Sequence, residues 1–357
     1  MTRVGLVFGG RSVEHKVSIV SARTVAKGLV EARHEVVPLG VAEDGGWVDP
    51  AVAERALAGD LDVLESVGGP VAPTLSHLLA AEIDVVFPII HGTWGEDGTL
   101  QGLCEMLDLP YVGPGVTASA VAMDKLLCKR VLAFAGVPVV PFEPISAASW
   151  SADREAALAR CERLPLPLFV KPSVGGSSVG IRKVPSRACL ESSIDFAFGF
   201  DDTVLVEQGI EGRELECSVL GDETLEASCV GEIVPGHDFY DYADKYLEDT
   251  ARLVAPADLP PETEAHIREL AVRAFEAIGG WGMARVDFLL SDAGDLYLNE
   301  LNTLPGFTAI SMYPRLWSLS GLPLPNLVDR LVSIALARHA CRIALDRSIK
   351  EFLASLQ

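Results

Sequence analysis

The sequence predicts an α/β protein of two or three domains, and three observations support this. The chain has 357 residues, whereas one domain usually holds about 100–200. Hydrophobic residues make up 49% and charged residues 22% of the sequence, which is typical of a chain that folds around a core. Short apolar runs end at glycines and are followed by apolar residues at helical spacing, as in α/β layers.

The N-terminal part contains two units of strand, glycine turn and helix. Residues 4–8 form an apolar run, and apolar residues recur at helical spacing over 17–29. A second unit covers 84–107. In open α/β sheets, ligands bind beyond the carboxyl ends of the strands, so we expect the segments 9–18 and 91–98 to share a site.

The remainder of the chain adds further predicted elements. Residues 43–76 are assigned to loops and a short helix, and a helix carrying residues 123–131 follows a turn at Gly113-Pro114-Gly115. Strands are predicted at 168–170 and 204–207, and a helical tail covers residues 338–357. The predicted domains are residues 1–115, 116–205 and 206–357.

Charge and composition exclude several classes of partner and location. The formal net charge of -21 argues against nucleic acid or an anionic membrane, because both attract basic surfaces. No apolar stretch reaches the roughly 18 residues of a membrane span, and the N-terminal run is too short for a signal peptide. The seven cysteines form no CxxC pair, so we expect reduced thiols in a cytoplasmic protein.

A glycine-rich segment between two apolar runs is a candidate phosphate-binding loop. Residues 171–180 read KPSVGGSSVG, and they combine a lysine and hydroxyls with glycines that let the backbone approach an anion. The order of a Walker A loop is absent. Taken alone, the segment fits a flexible hairpin as well as a phosphate lid.

The segment 285–302 predicts a β-hairpin with one polar face. A turn centred between Ala293 and Gly294 sets Arg285 opposite Asn302 and Asp287 opposite Glu300. With the period of two of a strand, the polar face carries Arg285, Asp287, Leu289, Leu298, Glu300 and Asn302, and the other face carries Val286, Phe288, Leu290, Tyr297, Asn299 and Leu301.

The opposed carboxylates indicate a metal site. Asp287 and Glu300 repel one another across the ladder unless a cation lies between them. Oxygen ligands from aspartate, glutamate and Asn302 suit Mg²⁺ bridging nucleotide phosphates. A solvated polar face is the alternative interpretation.

Several single residues carry weaker signals. Glu14 is either a site carboxylate or a charge that complements a helix N-terminus, and His91 is either a site residue or a loop histidine with internal partners. Glu96 and Asp97 fit charges of a first helical turn, and Lys125 fits a surface lysine as well as a ligand contact.

The long segment 235–250 mixes tyrosines with charges and lacks clear periodicity. Loops of this length within a compact domain are often lids, so Lys245 and Tyr246 are candidates to close over a ligand. An ordinary surface loop is the alternative.

Together these segments resemble the D-alanine:D-alanine ligase family. The matches occur in order along almost the whole chain, as GGRSVEHKVS, HGTWGEDGTLQG, MDK, VKPSVGGSSVG, VLVEQGIEGRE, FYDYADKY and the run from Arg285 to Ser311. The resemblance implies a three-domain ATP-grasp architecture with an N-terminal open α/β domain. In that architecture ATP lies between the central and C-terminal domains, and the D-alanine sites face the N-terminal one.

The resemblance also implies roles for individual residues. Mg²⁺ or Mn²⁺ would be held by Asp287, Glu300 and Asn302, and ATP by Lys125, Lys171, Ser173, Ser178, Glu207 and Glu214. Glu14 would hold the ammonium group of the first D-alanine and would be linked by hydrogen bonds to Ser177 and Tyr246. His91 would lie near the carboxylate of this D-alanine. The second would meet Ser311 and Met312, with Gly306 as the oxyanion donor. Arg285, Lys171 and Lys245 would offset the charge of the transferred phosphoryl group.

The implied reaction joins two D-alanine molecules through an acyl phosphate for peptidoglycan synthesis, in a cytoplasmic homodimer. The alternatives are D-serine or D-lactate as the second substrate, or another ATP-grasp carboxylate-amine ligase. A pocket rejects the added hydroxyl of D-serine only weakly, whereas the retained Lys245-Tyr246 favours an amine nucleophile over D-lactate. A nucleotide-binding regulatory module without catalysis would show gaps at Arg285 or the metal carboxylates, and none is seen. A Rossmann dehydrogenase would need GxGxxG, which is absent.

Overall fold

The structure, a computed structural model, describes residues 1–65, 78, 81–235 and 252–356. Its strands are β1 Arg3–Gly9, β2 Glu35–Val41, β3 Val85–Pro88, β4 Phe142–Ser146, β5 Leu168–Pro172, β6 Arg182–Val184, β7 Thr203–Gln208, β8 Gly212–Gly221, β9 Leu225–Val234, β10 Arg252–Val254, β11 Gly282–Ser291 and β12 Leu296–Asn302. Its helices are α1 His15–Glu31, α2 Pro50–Ala58, α3 Thr99–Met106, α4 Val116–Met123, α5 Lys125–Phe134, α6 Ala147–Ala152, α7 Arg154–Cys161, α8 Leu190–Ala197, α9 Pro261–Ala277, α10 Met312–Leu319 and α11 Leu324–Ser355. Both strand, turn and helix units predicted near the N-terminus are confirmed.

A parallel sheet of order β2-β1-β3 forms the N-terminal layer. The turn after β1 requires glycine, because Gly9 has a φ of +91° and a Cβ there would lie 2.1 Å from the Val41 oxygen. The chain therefore reverses sharply at the carboxyl end of β1, and α1 begins at His15 beside the loop that follows β3. The two loops predicted to share a site lie together.

An antiparallel sheet of order β4-β7-β5-β6 forms the central layer, and helices α6, α7 and α8 supply residues to its core. Strands β5 and β6 pair antiparallel on either side of the glycine-rich segment. The segment is thus the connection of a hairpin at one edge of this sheet.

The third sheet has the order β10-β9-β8-β11-β12, and its neighbouring strands run antiparallel. Its buried apolar face packs against helices α4, α5 and α9. The predicted single helix over 123–131 was wrong at its start, because Asp124 is extended and separates α4 from α5. The Asp124 carboxylate accepts hydrogen bonds from the amides of Leu126 and Leu127, which makes it the N-cap of α5.

The long helix α11 packs its first half against the N-terminal layer. Leu327, Val328 and Leu331 share one core cluster with Leu6 and Phe8 of β1. The helical tail predicted from residue 338 is confirmed as the continuation of α11. No helix within the described part of the chain is both long enough and apolar enough to cross a membrane.

Candidate active site

A cavity of about 980 Å³ lies between the N-terminal loops, the glycine-rich segment and the β11-β12 hairpin. Most of the predicted site residues line it, although they come from distant parts of the sequence. They are Glu14, His91, Lys125, Lys171, Ser177, Ser178, Glu214, Arg285, Asp287, Glu300, Asn302, Gly306, Ser311 and Met312.

One guanidinium and several carboxylates form the polar floor of this cavity. Arg285 binds Asp287 through two hydrogen bonds of 2.7 Å, and its Nε also lies 3.2 Å from an oxygen of Glu216. Burial alone would lower the pKa of Arg285, but the two carboxylates raise it well above its ordinary value. The arginine is therefore a permanent positive charge at the centre of an acidic surface.

The register predicted for the hairpin is confirmed at its functional end. Arg285 pairs with Asn302, and Asp287 pairs with Glu300. Beyond these pairs a bulge shifts the register by one residue, so that Leu298 faces Phe288 in the apolar core. The predicted faces of Leu298, Asn299 and Tyr297 were therefore wrong, and Asn299 lies on the cavity side, where its Oδ1 is 3.3 Å from Lys171 Nζ.

The donors predicted for a metal ion share one face of the hairpin. Asp287, Glu300 and Asn302 offer oxygens of the kind that Mg²⁺ and Mn²⁺ prefer, so the chemistry of the donor set fits. The Asp287 carboxylate is bonded to Arg285 and to the Asn302 amide nitrogen at 2.9 Å. Accordingly, the described residues contain no preformed cluster of three acidic, histidine or cysteine ligands.

The glycine-rich segment forms the opposite wall and approaches Glu14 closely. A Cβ at Gly176 would lie 3.2 Å from a Glu14 oxygen. Ser177 and Ser178 have φ values of 50° and 58°, a left-handed conformation that is costly for residues other than glycine and that is often associated with function. Lys125 Nζ donates a hydrogen bond of 2.6 Å to the Gly175 oxygen, which ties this segment to α5.

A buried charge cluster supports Lys171 behind the cavity. Glu207, which is 1% exposed, lies 2.8 Å from Lys171 Nζ and 3.2 Å from Lys129 Nζ. Burial raises the pKa of Glu207, but the two ammonium groups outweigh it and hold the pKa at about 2. Glu207 is thus an ionised partner of two lysines, and it lies outside the residues that line this cavity, so its role towards a nucleotide stays a prediction.

Ser173, a predicted nucleotide contact, is likewise not among the residues that line this cavity. Its side chain is buried, and its hydroxyl donates a hydrogen bond of 2.7 Å to the Asp124 carboxylate instead of facing the cavity. Its backbone oxygen accepts from the Lys125 amide at 2.9 Å. Ser173 therefore connects the start of the glycine-rich segment to the N-terminus of α5.

Buried polar side chains of the N-terminal layer hold the segment that follows β12. His91 Nδ1 lies 2.8 Å from the Leu304 oxygen, and its Nε2 lies 3.0 Å from Ser21 Oγ. Burial lowers the pKa of His91 more than Glu14 raises it, so the ring is neutral. Glu96 accepts from the amides of Gly92 and Leu304, at 2.7 and 3.1 Å.

The predicted site of the second substrate lies directly after this segment. A Cβ on Gly306 would lie 2.8 Å from Ser311 Oγ, so the two residues are adjacent. Ser311 is the N-cap residue of α10, and Met312 begins that helix. A helix N-terminus favours a carboxylate, which both substrates of the implied reaction carry.

Comparisons with known proteins match both halves of the chain. The model of the D-ala D-ala ligase N-terminus matches residues 3–114, and that of the D-ala D-ala ligase C-terminus matches residues 131–333. The chain belongs to the D-alanine:D-alanine ligase family. The α/β fold predicted from the sequence is confirmed as that of this ATP-grasp family.

Individual members of the D-alanine:D-alanine ligase family are similar over nearly the full length. A D-alanine--D-alanine ligase of Paenarthrobacter aurescens (strain TC1) is 45% identical, with 94% of this chain and 95% of the relative covered. The D-alanine-D-alanine ligase structure from Coxiella burnetii is 34% identical, with a TM-score of 0.81 and 98% and 99% coverage. The VanG D-Ala:D-Ser ligase from Enterococcus faecalis is 33% identical, with a TM-score of 0.79 and 94% and 99% coverage.

The structure also shows residues that the sequence analysis did not assign to the ligase site. Glu216 follows Glu214 by two positions on β8, and this spacing could have indicated that both carboxylates share the cavity face. Lys129 lies one helical turn after Lys125, and this spacing could have indicated that both lysines lie on the same side of α5. Lys245 and Tyr246 lie outside the described residues, so their roles stay predictions.

The buried cluster around Glu207 gives a testable prediction for stability. Glu207→Gln is expected to lower the free energy of unfolding by about 3–5 kcal/mol, because two buried ammonium groups lose their counter-charge. The folded-state pKa is depressed from 4.5 to about 2, so the contribution is present above pH 4.5 and is lost as the pH falls towards 2. Urea unfolding from pH 7 downwards should show the two proteins converging in this window.

Glu143→Gln is the matched control for that measurement. Glu143 lies on the neighbouring strand β4 and pairs with Arg160, and both side chains are partly exposed. We expect a loss of no more than about 1 kcal/mol, as for other surface ion pairs. Equal losses in the two variants would contradict the role assigned to Glu207.

Proposed function

We propose that the protein is an ATP-dependent ligase that joins two D-alanine molecules through an acyl phosphate. One observation supports this most directly. A single cavity combines the glycine-rich segment, the acidic floor around Arg285, and Glu14 and Gly306 from two other parts of the chain. The glycine-rich segment and the acidic floor suit a nucleoside triphosphate. Glu14 suits the ammonium group of an amino acid, and Gly306 suits the oxyanion of a tetrahedral intermediate.

In the first step, a carboxylate oxygen of one D-alanine attacks the γ-phosphorus of ATP, and ADP leaves with the electron pair of the broken phosphorus–oxygen bond. Glu14 is proposed to hold the ammonium group of this D-alanine. Lys125 and Lys171 line the same cavity and would neutralise the phosphates, while Arg285 would offset the charge on the transferred phosphoryl group. The chain thus contributes position and charge.

In the second step, the amine nitrogen of the other D-alanine attacks the acyl carbon and the carbonyl oxygen takes up the electron pair. The oxyanion then reforms the carbonyl, phosphate leaves with the electrons of the acyl carbon–oxygen bond, and the proton lost from the nitrogen ends on the phosphate, which departs as hydrogen phosphate. We propose that the Gly306 amide donates to the oxyanion and that Ser311 and the N-terminus of α10 receive the carboxylate of the second D-alanine.

Asp287, Glu300 and Asn302 are proposed to hold Mg²⁺ or Mn²⁺. The bound ion would supply charge neutralisation at the nucleotide phosphates. Within the protein, Arg285 orients Asp287 before any ion arrives, since it binds both carboxylate oxygens. The site is therefore prepared for a cation by a guanidinium that would remain next to the phosphates.

D-serine is the second candidate for the attacking substrate, because the chain is similar to a D-Ala:D-Ser ligase structure with a TM-score of 0.79. Its extra hydroxyl adds little bulk, and a pocket discriminates weakly against such an addition. We further propose that the enzyme works in the cytoplasm, where ATP is available, as a homodimer that serves peptidoglycan synthesis.

The decisive experiment measures ATP-dependent phosphate release with D-alanine alone, with D-alanine plus D-serine, and with D-alanine plus D-lactate. Products are identified by mass. We expect D-alanyl-D-alanine to be the main product and release to depend on Mg²⁺. Release with L-amino acids but not with D-alanine would reject the proposed substrate.

A further inference from the structure

The segment that carries Gly306 is fixed on both sides by side chains from the N-terminal layer. On one side, Leu304 is held at both of its backbone groups, since its amide donates to Glu96 and its oxygen accepts from His91. On the other side, the Phe307 amide donates to Ser21 Oγ at 3.2 Å. Gly306 lies between these two anchors, and both of them fix the backbone that carries its amide.

The hydrogen bonds form one consistent chain. The Phe307 amide donates to Ser21, and a neutral His91 then accepts from the Ser21 hydroxyl at Nε2 and donates from Nδ1 to the Leu304 oxygen. The Leu304 amide completes the chain at Glu96. Each donor has one acceptor in this arrangement, which selects one tautomer of His91 and one position of the segment.

The three side chains that form these hydrogen bonds are among the most buried polar groups of the described residues. Ser21 is 0%, His91 4% and Glu96 8% exposed. Burying a carboxylate is costly, and burial together with repulsion from Glu14 raises the pKa of Glu96 to about 8. A buried acid whose hydrogen-bond partners within the described ranges are backbone amides destabilises the fold more than an apolar contact between the two loops would, so stability alone does not account for it.

We propose that Glu96 and Ser21 are positioning residues that hold the Gly306 amide for attack on the acyl phosphate. This inference rests on the proposed function, because it needs an oxyanion at Gly306. Neither residue is assigned a contact with either substrate. They act through Leu304 and Phe307, and they couple the loop after β3 and helix α1 to the site of the second step.

Glu96→Gln is the direct test. Each of the two side-chain oxygens of Glu96 accepts from one amide, and both can do so whether or not the group is protonated, whereas a glutamine presents one oxygen and one donor, so one amide loses its partner. We expect kcat for dipeptide formation to fall by about 10- to 100-fold, as for a displaced catalytic donor, with KM for ATP changed less than about twofold. Acyl phosphate formation, followed by positional exchange in ATP labelled with heavy oxygen, should stay within about twofold of the unchanged protein.

Ser21→Ala is the second variant, and it decides the question if Glu96→Gln does not fold. It removes the acceptor of the Phe307 amide. Like Glu96→Gln, it should slow dipeptide formation while leaving acyl phosphate formation nearly unchanged. Asp84→Asn is the matched control, because Asp84 also accepts a backbone amide, that of Arg3 at 2.7 Å, at the other end of the N-terminal sheet. We expect normal kinetics for it.

Equal losses in exchange and in dipeptide formation by a folded variant would overturn the positioning role, and so would an unchanged kcat. Failure of the proposed function gives a different result, since the unchanged protein would then form no dipeptide from D-alanine. Thermal unfolding of all variants separates loss of fold from loss of position.

Discussion

Arg285→Ala is expected to reduce the rate of D-alanyl-D-alanine formation by about a thousandfold or more. The guanidinium binds Asp287 through two hydrogen bonds and lies 3.2 Å from Glu216. Without it, these carboxylates would repel each other and the incoming phosphates. Steady-state phosphate release, with substrate concentrations varied, measures the effect.

Two further variants make this test specific. Arg285→Lys keeps the charge but not the two-pronged geometry, so we expect it to recover only part of the activity. Arg213→Ala removes a similar ion pair on the same sheet. Arg213 binds Glu232 through hydrogen bonds of 2.8 and 2.7 Å, and neither residue lines the cavity. Comparable losses in Arg213→Ala and Arg285→Ala would show that the effect is one of stability.

Glu300→Gln is expected to reduce turnover by at least about a hundredfold and to raise the Mg²⁺ concentration needed for half-maximal rate. Glutamine keeps the shape of the side chain but removes the charge that faces Asp287 across the ladder. The rate is measured against total Mg²⁺ at fixed ATP, and the titration is repeated with Mn²⁺.

Asp292→Asn is the control for the loss of one negative charge from the same hairpin, since Asp292 is exposed at its turn. It should leave both the rate and the Mg²⁺ titration unchanged. If Glu300→Gln has the same titration midpoint as the unchanged protein, Glu300 is not a metal ligand.

The hairpin illustrates how far a strand pattern can be read from sequence. The pairs Arg285 with Asn302 and Asp287 with Glu300 followed from the turn and the period of two, and both are confirmed. Counting by two could not foresee the bulge that moves Leu298 into the core. A hint was present, however, because the uninterrupted pattern placed this leucine among polar residues and Asn299 among apolar ones. A bulge resolves both mismatches at once.

Other parts of the site depend on contacts that no local pattern describes. Asp97 was predicted in the first turn of a helix, but it lies just before α3, where it accepts from the Thr99 amide at 2.9 Å. Its neighbour Glu96 has the same local signal but is buried against Leu304, which lies 208 positions along the chain. Ser21 likewise has no local sequence signal that distinguishes it from the other serine of α1. Only tertiary packing distinguishes these residues from surface groups.

The packing of α11 against β1 has a consequence for biosynthesis. The ribosome releases β1 first, but Leu6 and Phe8 share their core with Leu327, Val328 and Leu331, so that the N-terminal sheet lacks part of its cover until α11 has emerged. Closing so long a segment costs entropy before the contacts repay it. The nascent chain therefore carries an incompletely covered apolar sheet until α11 has been synthesised, and this late helix completes the layer that the earliest strand began.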